Sequence, residues 1–400
     1  SVTTKASLSG TLKSTRINAR FPAKSKESID TIALKLVGKI NFMPSRRKTT
    51  MTSASIPGQE ELKHVFRQMA DEARVPHAML IHANEGGSGL PLAIYLTQML
   101  LCESREACGH CPACTRTLGY IHPDVHYIYP VNTNKIVKRT EDRHSDSFAT
   151  DWRTALSENP FLDLIDWYKS IDIESKQGFI GEEESKSLRR KLALRSFEGG
   201  YRVIVIWHAD KMNESFANKI LKNLEEPSPK TLFLLVSENP SKLLSTIISR
   251  VQIFREDHLQ EKALSAFLMD NYQVDPESAL DISFRVEGSI NHAIKEAQNS
   301  EDPWLTEFKS WMRMAYSRDL NGLYKWSETM ARRSRDGQRE FCVSALKILD
   351  RCYRMGWMEI RIPMEGEEAK FYKDFSPFIN TANVAGFLEM FQETSYHIER

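Results

Sequence analysis

Four cysteines fall within the segment CESREACGHCPAC: Cys102, Cys108, Cys111 and Cys114, separated by five, two and two residues. Each C-x2-C step lets two thiolates converge on one ion with backbone N–H groups turned to the sulfurs, and four sulfurs complete a closed tetrahedral zinc site. Such a site leaves no open position for water, so its role is structural. The alternatives, a disulfide pair or buried core thiols, fit poorly with a reducing compartment and with a turn made polar by Gly109, His110 and Pro112. His110 is expected to face solvent. Cys342 and Cys352 stand ten residues apart in a helical pattern, about 15 Å along the axis, and read as packed thiols.

A second stretch with chemical meaning is HANEGGSGLPLAIYLTQMLL, residues 82–101. A glycine-rich turn between a short apolar strand and an amphipathic helix is where backbone N–H groups cradle phosphates, helped by a lysine for the β/γ-phosphates and a hydroxyl for Mg²⁺. Aligned on Gly89, this loop offers Asn84 for the first glycine, Gly86 and Gly87 between, Leu90 for the lysine and Pro91 for the hydroxyl residue. The glycine-rich turn remains and the charge is gone.

The elements that must position these groups alternate along the chain. QEELKHVFRQMADEA is an amphipathic helix with Leu62, Val65, Phe66 and Met69 on one face, HAMLI is a short buried strand, and the helix from Pro91 to Leu101 follows. VHYIYPV, YRVIVIW and TLFLLVS are further strands, separated by the helices EEESKSLRRKLALRSF and NESFANKILKNLEEP. Continuous apolar strands between helices indicate a parallel sheet covered on both faces. Residues 133–175 read as a polar, irregular surface insertion around one short helix, PFLDLIDWYKSI, with Trp167 and Tyr168 either pinning it or forming a partner patch. After Phe254 strands stop: a small helical domain spans 256–300, and three to five longer helices occupy 301–400. The first of these carries a stripe of Trp304, Leu305, Phe308, Trp311, Met312 and Tyr316. The fold class is α/β plus all-α.

Composition limits the partners. With 41% hydrophobic and 27% charged residues, and no run of about 18 apolar residues, the sequence reads as a globular, non-membrane protein. No signal-peptide pattern opens it, and a cytoplasmic location is the expectation. Residues 1–50 hold eleven Lys/Arg against two Asp/Glu, although the whole chain holds 54 against 53. The body is therefore net acidic, which disfavours a globally basic nucleic-acid binder. Residues 1–55 are expected to be a basic, disordered extension, with Met51 as an internal start and a DNA-touching arm as the functional rival.

Taken together, the helix GQEELKHVFRQMADEARVPHAMLI, the degenerate glycine loop, the four-cysteine knuckle and NKILKNLEEPSPKTLFLLVSENPSKLLSTIISRVQIF resemble the delta-prime subunits of the bacterial DNA polymerase III clamp loader, in the AAA+ family. The resemblance runs from about Ile56 to the C-terminus and is weakest in the last helices. It implies an AAA+ type parallel-sheet domain over 56–255 with an inserted zinc knuckle at 102–114, a helical lid at 256–300 and a helical oligomerisation collar at 301–400. In an active relative the strand VIVI would lead into Asp-Glu, for Mg²⁺ and the attacking water; here Trp207 and His208 stand there. Asp210 reads as an N-cap or first-turn acid of the next helix. Asn291 takes the place of a phosphate-sensing arginine. Three losses fall on one function, so no ATP binding or hydrolysis is expected.

Ser249 and Arg250, in TIISRVQIF, match the family's Ser-Arg-Cys motif with Val251 for the cysteine. The resemblance makes Arg250 an arginine finger offered in trans, since a planar, permanently charged guanidinium stabilises charge on a transferring phosphoryl group. The plain alternative is a surface ion pair. Implied partners are clamp-loader ATPase subunits of gamma/tau type and a delta-type subunit in a hetero-pentamer, together with the sliding clamp and primed DNA. As a component the chain would belong to a DNA-directed DNA polymerase complex. Two rival functions stay open: an active, ATP-binding clamp-loader subunit, and a zinc-knuckle nucleic-acid-binding protein. The second would need a basic, aromatic knuckle, whereas only Arg105 and Arg116 supply charge there.

Overall fold

The structure, a computed structural model, describes residues 56–298, 303–357 and 366–399. The expectations for the basic segment 1–55, Met51 included, lie outside the described residues. Five strands, β1 (Ala78–His82), β2 (Val125–Ile128), β3 (Arg202–Trp207), β4 (Thr231–Ser237) and β5 (Gln252–Arg255), form one sheet in the order β2-β3-β4-β1-β5. Every pairing is parallel, with Leu80 opposite both Leu235 and Ile253. Every residue of β3 and β4 is buried. Their apolar runs lack polar alternation because both sheet faces are covered.

Successive side chains still serve opposite faces. Met79, Ile81, Val203, Val205, Leu232 and Leu234 join a cluster with α1 (Glu60–Asp71) and α2 (Gly89–Leu101), whereas Leu80, Ile204, Ile206, Phe233 and Leu235 pack on α6 (Glu182–Ala193) and α7 (Glu214–Glu225). Each such side chain contributes about 1.5–3 kcal/mol by leaving water. The edge strand β5 buries only Phe254 and exposes Gln252, Ile253 and Arg255. Its short, half-polar pattern is why it does not stand out in the sequence, and its charge blunts a free sheet edge.

Residues 133–175 correct the sequence expectation of an irregular surface insertion. They contain α4 (Ala149–Glu158) and α5 (Leu164–Ser170), and Phe148, Trp152, Phe161, Trp167 and Tyr168 are all at most 2% exposed. Trp152 stacks on Tyr129 at 4.1 Å between ring centroids and meets Trp167 and Trp207 edge-on or tilted at 5.2 Å each. The Trp167 indole donates to the Pro130 carbonyl at 2.8 Å, and the Tyr168 hydroxyl to that of Gly178 at 3.1 Å. A few aromatics each bury roughly 150–250 Å², so a sparse set in a polar background still anchors the segment. Trp167 and Tyr168 pin it and form no surface patch.

Helices α9 (Glu261–Tyr272), α10 (Pro276–Arg285) and α11 (Ile290–Ala297) share a cluster built on Leu264, Phe267, Leu268, Ile282 and Ile294, which Phe161 joins. The short α3 (Pro112–Leu118) follows α2, and between β4 and β5 lies the short α8 (Ser245–Ile248). Beyond residue 303 come α12 (Pro303–Ser317), α13 (Leu320–Ala331), α14 (Arg335–Trp357), α15 (Gly366–Phe375) and α16 (Val384–Glu399), around Phe308, Phe341, Leu349 and Phe391. The stripe on α12 is core at Leu305 and Phe308 and surface at Tyr316, which is 82% exposed. Cys342 and Cys352 are both buried, and burial pushes both thiols up, Cys352 to about 12. Among the described residues no helix is long and apolar enough to cross a membrane.

Candidate functional site

The glycine loop joins the end of β1 to α2 at the C-terminal edge of the sheet. Its donors turn inward to the chain itself. The Asn84 N–H donates to Oε2 of Glu256 at 2.8 Å and the Ser88 N–H to Oε1 at 2.5 Å. Burial pushes the Glu256 carboxyl up to about 7, although the Ser88 and Asn84 N–H groups pull the other way. The glycines fit this arrangement. A Cβ on Gly87 would lie 2.6 Å from Glu256 Oε1, and one on Gly86, whose φ is +63°, would lie 2.3 Å from Ser289 Oγ at the start of α11. Leu90, at the lysine position, is 3% exposed and belongs to the apolar cluster on the sheet.

Beside the loop is a cavity of about 300 Å³. Six acids, Glu85, Asp163, Asp210, Glu238, Asp336 and Glu340, line it against four bases, Lys211, Lys242, Arg335 and Arg339. His208 stands at the mouth of β3 with φ +50° and is 4% exposed. Its Nδ1 is 3.8 Å from Asp210 Oδ1, which also accepts from the Ser237 hydroxyl at 2.9 Å. Burial alone would raise the Asp210 carboxyl, but His208 and Lys211 together with the Ser237 bond bring it down to about 2. Burial works against the His208 cation too, yet Glu238 and Asp210 hold its pKa above the ordinary value. Trp207 is buried against Trp152. Neither position offers a pair of acids for a metal ion.

The expectation for Asp210 as N-cap or first-turn acid of the next helix is corrected. A 3₁₀ turn, Ala209–Lys211, intervenes, and Asn213 caps α7 by accepting from the Phe216 N–H at 2.8 Å. Asp210 is instead a buried partner of His208. Asn291 is fully buried: its N–H donates to the Gly86 carbonyl at 3.1 Å and its Nδ2 to that of Phe161 at 2.7 Å. Lys211 reaches Asp336 of α14 at 2.5 Å. Residues at the strand ends are thus tied to the helical part of the chain by its own polar groups.

Arg250 lies between α8 and the edge strand β5. Its Nη1 donates to the Thr246 carbonyl at 2.8 Å and to the Ser249 hydroxyl at 3.1 Å, and its Nη2 pairs with Glu225 Oε1 at 2.6 Å. Ser249 is exposed and donates to the Thr246 carbonyl at 3.0 Å. The side chains of Arg250 and Glu225 are 34% and 49% exposed. Surface pairs of that kind contribute about 0–1 kcal/mol, so the guanidinium is oriented without being tightly committed.

At the other end of α2, Cys102, Cys108, Cys111 and Cys114 bring their four Sγ atoms within 4.8 Å of one another. None is in a disulfide. Backbone N–H groups of Cys108, Cys111 and Cys114 point at the sulfurs of Cys102, Cys108 and Cys111 at 3.5, 3.5 and 3.4 Å. Tetrahedral ligation with bonds of about 2.3 Å places sulfurs about 3.8 Å apart, and Cys108 and Cys114 already stand 3.9 Å apart. The set can hold a metal ion. His110 is exposed, as expected.

Two groups escaped the sequence reading. Glu256 sits in an unremarkable acidic run, Arg255-Glu256-Asp257, that carries no sign of which acid returns to the loop. Lys295 bridges Asp163 and Asp166 of the 133–175 segment at 2.8 Å each, tying it to α11. Only a chain-wide search for counter-charges to the loop donors would have found the first.

A parallel sheet whose first strand runs through a glycine turn into a helix is the layout of phosphate-loop domains. Within that class, the family model described as DNA polymerase III, delta subunit matches residues 58–260, and the chain belongs to that family. Relatives include the DNA polymerase III subunit delta' of Haemophilus influenzae, 25% identical over 57% of each chain, and that of Bacillus subtilis, 27% identical over 61% of this chain and 60% of the relative. The tau/gamma subunit of H. influenzae is 22% identical over 62% of this chain and 31% of its own length. The chain spans between a half and two thirds of the length of the delta' relatives named here. The delta-prime resemblance read from the sequence is borne out.

Proposed function

We propose that the chain is an AAA+ clamp-loader subunit of delta-prime type that holds no nucleotide and completes the active site of a neighbouring ATPase subunit. The observation that carries this reading is the burial of Leu90: the position that would supply a cation to a triphosphate is part of the apolar core. The adjacent cavity supports it, because its Lys and Arg side chains stand among six acids, with Lys211 already paired to Asp336, and do not make it a positive field for a polyphosphate. The same features weigh against an active ATPase subunit. In this reading, residues 56–255 are the AAA+ domain, 256–300 its lid and 301–400 the collar that assembles with gamma/tau and delta-type subunits. The assembly loads a sliding clamp on primed DNA in the cytoplasm, at the nucleoid, as part of a polymerase complex.

Arg250 is the group offered to the neighbour, with Ser249 positioning it. Its place before the edge strand and its weak pairing with Glu225 support that role, because exchanging one surface carboxylate for a phosphoryl anion sacrifices little. The cysteine knuckle holds zinc in a structural role, favoured by four sulfurs over oxygen ligands. The test is Arg250→Ala in the reconstituted loader. Folding and assembly should persist while ATP turnover falls by about 10³ or more. Unchanged turnover would remove the finger, and Mg²⁺-dependent ATP binding by the isolated chain would remove the claim that it holds no nucleotide.

A further inference from the structure

We infer that Glu256 is a built-in ligand of the glycine loop: its carboxylate occupies the place of a phosphate-class anion and keeps such anions out. This rests on the proposed absence of nucleotide and supplies its mechanism. Two N–H donors from opposite ends of the loop, those of Asn84 and Ser88, converge on the two carboxylate oxygens. Converging N–H groups at the start of the thirteen-residue helix α2 favour negative charge. The carboxylate is no wandering surface group, since Glu256 is 8% exposed.

Its backbone is also fixed. The Glu256 N–H donates to the His82 carbonyl at 2.9 Å, continuing the β1–β5 pairing. Asp257 is held from both sides by the Gln59 side chain, at 2.7 and 3.0 Å. The buried Ser88 hydroxyl acts on the same carboxylate, where it favours the charged form, and is a further donor for an oxyanion. Gly87 carries the imprint of the carboxylate, because any Cβ there would collide with Oε1. Glycine is therefore retained by a loop whose anion is intramolecular. With the carboxylate removed, the donors would face an anion from solution. The class that fits is inorganic phosphate or pyrophosphate, bound through N–H groups without the help of a lysine.

The test titrates wild-type chain and Glu256→Ala with inorganic pyrophosphate by calorimetry, with melting temperature and circular dichroism confirming that both are folded. Glu256→Ala should bind pyrophosphate about tenfold or more tightly than wild type, the worth of one charge-assisted hydrogen bond. Equal affinity in the two folded proteins overturns the inference and leaves the proposed function standing. Mg-ATP binding to the wild type overturns the proposed function itself. Glu256→Gln, which keeps volume and removes charge, gives an independent readout: the Ser88 amide resonance should shift and exchange faster. An unmoved Ser88 amide counts against the built-in ligand.

Discussion

The two ends of helix α2 treat their ligand-binding groups in opposite ways. At its start, the loop donors are satisfied by Glu256 from the same chain. At its end, four cysteine sulfurs converge on one another and receive backbone N–H groups around the rim. Both segments look like ligand sites in the sequence, and both keep the residues that define the turn. The difference teaches that a retained motif reports a retained backbone shape, while the destination of its polar groups reports whether an outside ligand is needed.

Breaking the cysteine end should have the larger effect. About one zinc per chain is expected by metal analysis, and Cys111→Ser with Cys114→Ser should abolish it and lower the melting temperature by several degrees, since structural zinc contributes folding energy directly. A metal-free chain of unchanged melting temperature would reverse the comparison. At the loop end, Gly87→Ala forces a Cβ to within 2.6 Å of Glu256 Oε1 and should destabilise by about 1–3 kcal/mol in denaturant titrations. Most of that penalty should vanish in a Glu256→Ala background, leaving the 3.0 Å approach to the Asn84 carbonyl. A penalty identical in both backgrounds would show that the glycine serves the turn alone.

The smallest effect belongs to Asp210, in the cavity beside the loop. Against burial, His208, Lys211 and the Ser237 bond hold its carboxyl down to about 2, below the ordinary 3.8, so its stabilisation is complete above pH 3.8 and is lost as pH falls through 2. Asp210→Asn should flatten the acid limb of stability measured between pH 2 and 5. An unchanged limb would place the His208–Asp210 pairing outside the stability balance.

Much of the molecule was legible in one dimension. The apolar runs of β1, β3 and β4 and the helices between them follow directly from periodicity, and the cysteine set from spacing. The 133–175 segment looks like surface in the sequence because Trp152, Trp167 and Tyr168 lie in polar surroundings, and their joint burial emerges only when α4 and α5 pack on Tyr129 and Trp207. Asp210 reads as an N-cap or first-turn acid of the next helix because nothing in the sequence marks the 3₁₀ turn that separates it from that helix. The pairing of Arg250 with Glu225 was legible only as a generic alternative.

The sequence by itself determined that the phosphate-loop lysine is a leucine and that four sulfurs sit at metal-ligand spacing, because both are local facts of residue type and order. Only the tertiary structure decided what the loop's donors hold. Glu256 lies 168 residues from Ser88 along the chain, and it reaches the loop because the sheet order sets β5 beside β1. Pairing across that distance is chosen by which strands share a ladder, a choice that hydrophobic periodicity within each strand does not encode.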